Sequence, residues 1–228
     1  PSRLPEKHSE TAFMTNRAID FIKETKEQWF LHLSYIKPHW PYMAPAPYHN
    51  MYSANEFYPV HRNDAERNND HPVYKAFMEN SISKTFSKDE VRNTVLAGYM
   101  GLIKQIDDNL GRLFKFLESS GHMDDTMIVF TSDHGDYQGD HWLGEKELFH
   151  EQSVRVPMII YDPSDYANKT RGTKEERFIE AIDLLPTFLD AVESPASKHR
   201  LEGNSLMPLL KGENTKDWKE FVFSEIDY

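Results

Sequence analysis

Asp133 and His134 stand side by side after the apolar run Thr126–Thr131. A carboxylate oxygen and an imidazole nitrogen at a strand-to-loop corner can turn toward one point, and together they suit a divalent cation. The same pair can equally be an Asp capping a following helix beside a surface His. The surrounding composition favours chemistry. Residues 133–141 hold three Asp, two His and two Gly, and Gly135 and Gly139 let the backbone turn tightly. Lys146 comes next. Facing the pocket of Asp133, its charge would stabilise negative charge building on a phosphoryl or sulfuryl oxygen. Facing water, it is one of 26 Lys and Arg. His39 sits between Lys37-Pro38 and Trp40-Pro41. A histidine in a proline-stiffened loop can hand a proton to a leaving group, and it can also be a stacked structural residue.

These side chains need elements to deliver them. Trp29–Ile36 has strand propensity and would present His39 at its C-terminal end, where Pro38 and Pro41 stop it. Thr126–Thr131 is a second strand and would present Asp133 and His134. Val154–Tyr161, broken by Pro157, and Phe221–Ile226 read as further strands. Helices are expected over 9–26, with Ser9 or Thr11 as cap, and over 182–192, with Asp183 and Pro186 in its first turn. The clearest helix is 88–119, opened by a Ser87/Glu90 capping box and ended by Gly121. Asp108 on it reads as a solvated charge. Residues 40–85 read as a long irregular loop lining the pocket, with Trp40, Tyr42 and Tyr48 able to stack on an aryl group. The alternation of helices and short apolar strands gives an α/β fold, a mostly parallel sheet flanked by helices. Such sheets bind ligands at the carboxyl ends of their strands.

Composition sets the limits. The 228 residues suffice for one large domain or two small ones. A formal charge of −11 argues against a broad phosphate-backbone contact, so no nucleic acid partner is expected. No apolar run approaches about 18 residues, so no membrane partner is expected. The absence of cysteine removes disulfides, thiolate-bound zinc and a Cys nucleophile from these residues. His150-Glu151-Gln152-Ser153-Val154 lacks the second His of a zinc helix, and Gly203-Asn204-Ser205-Leu206-Met207 lacks the second Gly of a nucleophile elbow. The opening at Pro1 and the apolar close at Phe221–Tyr228 read as cut ends, so the chain is expected to be part of a longer protein.

Taken together the motifs resemble a known family. Phe130-Thr131-Ser132-Asp133-His134-Gly135-Asp136, Gly139-Asp140-His141 and Gly144-Glu145-Lys146 resemble the second metal-binding segment of the sulfatase family, in the alkaline phosphatase superfamily. Ser34-Tyr35-Ile36-Lys37-Pro38-His39 resembles its leaving-group histidine loop. Gly111-Arg112-Leu113, Val154-Arg155-Val156-Pro157, Asp183-Leu184-Leu185-Pro186-Thr187 and Gly203-Asn204-Ser205-Leu206 come in the family's order. Pro45–Tyr52, His71-Pro72 and Asp217-Trp218 resemble the branch of phosphonate monoester hydrolases, also described as phosphodiesterases.

The resemblance implies a C-terminal part of an α/β sulfatase-like catalytic domain. It implies hydrolysis of phosphonate monoesters, phosphodiesters or sulfate esters by a formylglycine nucleophile that lies outside these residues. Asp133 and His134 would be metal ligands, for one divalent ion, Mn²⁺ or Ca²⁺, with Zn²⁺ a further option. His39 would be the general acid and Lys146 would stabilise the transition state, the two also binding the small anionic ester. This segment alone would turn nothing over, and the whole protein would be a homo-oligomer. The alternatives are a dedicated arylsulfatase-type enzyme and a non-catalytic binding protein that kept the fold.

Overall fold

Ser9 starts the first helix by accepting the Ala12 N–H on its hydroxyl at 3.2 Å, and α1 runs Glu10–Glu24. Thr11, Thr15, Ala18 and Ile22 recur at steps of four and three and are its buried stripe. The structure, a computed structural model, describes residues 2–53, 56–68, 71–195 and 200–225. Contacts within it divide the chain into two units, Pro1–His122 with His134–Arg155, and Met123–Asp133 with Val156–Tyr228.

In the first unit α1 packs on a long helix, which with the shorter α2 (Pro72–Glu79) and α3 (Ser81–Phe86) before it is α4, Asp89–Ser120. Gly121 ends α4 in the left-handed region, as the sequence predicts. The expected capping box does not form. The N-cap is Lys88, and the Ser87 hydroxyl instead donates to the Ser83 carbonyl at 2.8 Å, closing α3. The buried stripe of α4 includes Leu102, Gln105, Asn109, Leu113 and Leu117. Its two amides are tolerated because they are bonded: Gln105 donates to the Ser9 hydroxyl at 2.7 Å and Asn109 to Glu6 at 3.0 Å. Residues 42–48 lie along α4, where Ala44, Tyr48 and Leu102 make a small core. The second half of the expected irregular loop 40–85 is therefore helical, as α2 and α3.

The mostly parallel sheet is not what the described residues form. They hold one antiparallel pair, β1 (Ile128–Thr131) with β2 (Met158–Tyr161), in the second unit, with Ile128 opposite Tyr161 and Thr131 opposite Met158. Val154 ends a one-turn helix, α5 (Glu151–Val154), and Pro157 delays β2 to Met158 because it offers no N–H to a ladder. Trp29–Ile36 and residues 221–225 carry no ladder; Ile226 lies outside the described residues. Trp29, Leu31, Leu33 and Tyr35 are nonetheless half-buried while Phe30, His32, Ser34 and Ile36 are exposed, the period-two alternation of a strand with one covered face. Propensity set the local shape, but a ladder needs a neighbour, and none among the described residues pairs with this segment.

The second unit is centred on Asp183, which has no exposed surface. Lys219 donates to both of its carboxylate oxygens at 2.8 and 2.9 Å and to Glu180 at 2.7 Å. The Glu180 and Asn204 N–H groups complete its partners. Thr187, in α6 (Leu184–Ala191), accepts the Leu206 N–H at 2.8 Å, just before α7 (Met207–Leu210). A Cβ on Gly203 would lie 2.1 Å from the Ile182 carbonyl oxygen, so only glycine lets these two segments close. The Asp183–Thr187 and Gly203–Leu206 motifs are thus one structural clasp.

Candidate active site

His39 leaves the Trp29–Ile36 segment in a turn closed by its own N–H to the Ile36 carbonyl at 3.1 Å. Lys37 holds that turn, donating to the carbonyls of His39 and Pro41 at 3.0 and 3.1 Å. Burial pulls the Lys37 ammonium below its ordinary range and Glu10 opposes it. The imidazole Nδ1 of His39 meets the Trp40 carbonyl at 2.9 Å. A carbonyl only accepts, so Nδ1 carries the proton and Nε2 is the ring atom left for chemistry.

His134 repeats this device. Its Nδ1 meets the Gly135 carbonyl at 2.7 Å, which puts the ring's lone pair on Nε2, the tautomer a metal-ligating imidazole needs. The turn behind it is pressed against residues 152–153. Gly135 donates to the Ser153 carbonyl at 2.7 Å, and a Cβ on Gly135 would lie 2.0 Å from the Gln152 carbonyl oxygen. Ser153 is buried, and its hydroxyl donates to the Lys146 carbonyl. One residue therefore fastens both the turn after His134 and the backbone of Lys146. Asp133 is the last residue of the Met123–Asp133 stretch of the second unit, and the Ser132 hydroxyl donates to its Oδ1 at 3.4 Å.

Two carboxyl groups that sequence reasoning left without a role sit among these residues. Asp136 accepts the Tyr42 hydroxyl at 2.8 Å and the Gln138 N–H at 3.1 Å. Burial pushes its carboxyl up, while those bonds and His134 pull it down. Glu145, at φ +61°, is pushed up by burial and by Glu147, and it lies within electrostatic reach of Lys146, Asp136 and His39. His39 and Lys146 thus act electrostatically on Glu145, and His134 on Asp136. The signal in sequence was the density of acidic residues in 133–147, which gave no means of ranking them.

The aromatic residues expected to stack on a ligand divide. Tyr48 is buried, its hydroxyl on Asp108 at 3.0 Å and pushed up to about 12 by burial and Asp108. It is core, and Asp108, whose side chain stays 42% exposed as expected of a solvated charge, is in addition the partner of Tyr48 and Lys104. Tyr42 is committed to Asp136, which leaves Trp40, 54% exposed. A cavity of about 580 Å³ lies against α4, lined by Tyr42, Met43, His49, Tyr52, Glu90 and Asn93 among others.

Among the described residues no three His, Cys, Asp or Glu cluster to hold a metal. Asp133 and His134 offer one oxygen and one nitrogen, and the His134 tautomer fits ligation. They suit a divalent ion as part of a ligand set, not as the whole of one. No helix of the described residues is long and apolar enough to cross a membrane.

The sulfatase family model matches residues 2–194. The multifunctional alkaline phosphatase superfamily protein PehA of Trinickia caryophylli is 38% identical over 245 residues, covering all of this chain and 46% of that protein. An arylsulfatase of Clostridium perfringens is 30% identical over 220 residues, covering 94% of this chain and 44% of its own. The solved phosphonate monoester hydrolase of Silicibacter pomeroyi superposes with a TM-score of 0.89 at 33% identity, covering the whole chain and 46% of that structure. The chain spans about half the length of these relatives, and its fold is sulfatase-like over that span although its own sheet is small. Members of the family typically bind a divalent metal ion and act on anionic esters. A family match across most of the chain, over the turns that carry His39, His134 and Lys146, establishes that this chain belongs to the sulfatase family of the alkaline phosphatase superfamily.

Proposed function

We propose that the protein hydrolyses anionic tetrahedral esters, phosphonate monoesters and phosphodiesters foremost, with His39, His134, Lys146 and Asp133 as its working residues. The observation that carries this reading is the fastening of the His134 turn and the Lys146 backbone to the one residue Ser153. It ties together the backbones that carry a metal-competent imidazole and a cation, which favours gripping an ester whose charge grows in the transition state. Lys146 binds a non-bridging oxygen and stabilises the charge that develops there. His39, its Nδ1–H held by the Trp40 carbonyl, delivers a proton from Nε2 to the departing alkoxide or phenoxide. Asp133 and His134 hold a divalent ion, Mn²⁺ or Ca²⁺ by donor type, with Zn²⁺ as the other option. Bound there, a divalent ion would supply Lewis acidity for a nucleophile that these residues do not include, a formylglycine by analogy with the family.

The similarity to an arylsulfatase favours a second reading, sulfate esters, served by the same lysine, histidine and metal. Either reading is tested by metal content. The full-length protein purified with Mn²⁺ should hold metal stoichiometrically, and His134→Asn and Asp133→Asn should each lose it. Equal metal content in the variants would remove these two residues from the site.

A further inference from the structure

Between Gln138 and Leu148 the backbone does something costly. Gln138, His141, Trp142, Glu145 and Leu148 all take positive φ, from +48° to +81°, without being glycine. Left-handed geometry at a residue with a Cβ persists only where the surroundings over-determine it. This is the turn that carries Lys146.

The surroundings are a stack of histidines. The His141 and His150 rings lie 4.1 Å apart and 20° from parallel. His141 Nδ1 meets Glu66 Oε1 at 2.9 Å, and His150 Nδ1 meets the hydroxyl of fully buried Tyr137 at 2.9 Å. Tyr137 in turn donates its N–H to the Glu145 carbonyl at 2.7 Å. The chain Glu66–His141–His150–Tyr137 thus runs from the segment around residue 66 to the backbone beside Lys146.

We propose that Glu66, His141, His150 and Tyr137 form a latch that holds the strained 138–148 turn, and with it Lys146, in working geometry, and that charging both imidazoles releases it. This rests on the role given to Lys146 above. Glu66 Oε1, 2.9 Å from His141 Nδ1, can offset a charge on one ring of the pair but not on both. A second charge sets two cations face to face, and the rings must part. Other groups face the pair. His61 packs edge-on to His141 at 5.0 Å, and the Tyr74 hydroxyl donates to the His141 carbonyl. Asp140 accepts the His61 N–H and lies 4.0 Å from Arg92, and Arg62 and Arg67 cover the Trp142 ring. Among these described residues, Glu66 alone bonds a ring nitrogen of the pair with a carboxylate. Burial first, then the neighbouring His141, holds the His150 imidazole below its ordinary range, and Glu66 opposes them. With the folded value depressed, the latch is at full strength above the ordinary imidazole range and weakens as pH falls through it.

The experiment is a pH titration of the full-length protein with labelled histidine, followed by NMR, on wild type and His141→Asn, which keeps a donor for Glu66 and removes the neighbouring charge. His150 should titrate below the ordinary value in wild type and rise toward about 6.5 in the variant. An unchanged His150 midpoint overturns the latch. His150→Asn supplies an independent arm, read as kcat against pH normalised to its plateau. The acid fall in kcat, about tenfold per pH unit for a one-proton step, should shift to lower pH or vanish. An acid limb identical to wild type overturns the proposal. Lys146→Ala separates the two readings: full turnover would end the catalytic role of the lysine, while the NMR coupling judges the latch by itself.

Discussion

Gly135→Ala is the most informative single change, because the structure says where the added methyl goes. It would sit 2.0 Å from the Gln152 carbonyl oxygen, 3.0 Å from its carbon and 3.5 Å from Ser153 Cα. All three are backbone atoms, so no side chain can rotate away. The two stretches of chain must separate by about 1 Å, which stretches the 2.7 Å bond from Gly135 to the Ser153 carbonyl. Overpacking costs about 1–3 kcal/mol and the lost hydrogen bond about 0.5–1.5 kcal/mol, so stability should fall by about 2–4 kcal/mol. The same displacement moves His134 relative to Lys146, and a misplacement of about 1 Å lowers kcat/KM by about 100-fold. Gly111→Ala is the matched control. Nothing lies within 4 Å of its added methyl at this exposed position of α4, so it should stabilise by about 0.5–1 kcal/mol and leave turnover alone. Denaturant unfolding and steady-state kinetics on the full-length protein read both. Wild-type stability and activity in Gly135→Ala would mean that this close contact does not position the site.

Lys219→Met strands the fully buried Asp183 carboxylate without its cation and should cost about 3–5 kcal/mol in urea unfolding; a loss near zero would mean that the clasp does not hold the second unit. His39→Asn should lower kcat/KM by about 10²–10⁴-fold for an alkyl leaving group and far less for an activated aryl one; equal losses for both would remove the general-acid role.

Local signals were legible in the sequence. Ser9 capped α1 and Gly121 ended α4 because each acts within one turn of chain. Ser87 misled because the same hydroxyl can close the helix before it or open the one after, and α3 took it. The strands were half legible. Trp29–Ile36 has the alternation of a strand, but pairing depends on residues distant in sequence, and the described residues do not form the parallel sheet expected of it. Tyr48 was read as a ligand wall because aromatic character does not say which way a ring faces; Asp108 holds it inward. Gln105 and Asn109 were missed as core because their partners, Ser9 and Glu6, lie 96 and 103 residues away. At the site, the residue types announced His39, His134 and Lys146 as candidates. Ser153, which fastens two of them, has no chemistry of its own to announce, and only the fold reveals it.

The ester class is settled most directly on the full-length protein, expressed so that formylglycine can form and loaded with Mn²⁺. The measurement compares kcat/KM on an aryl phosphonate monoester with that on the matching aryl sulfate. The expected ratio is well above one. A ratio well below one would make the protein a sulfatase, and no turnover of either ester would leave a sulfatase fold without its chemistry.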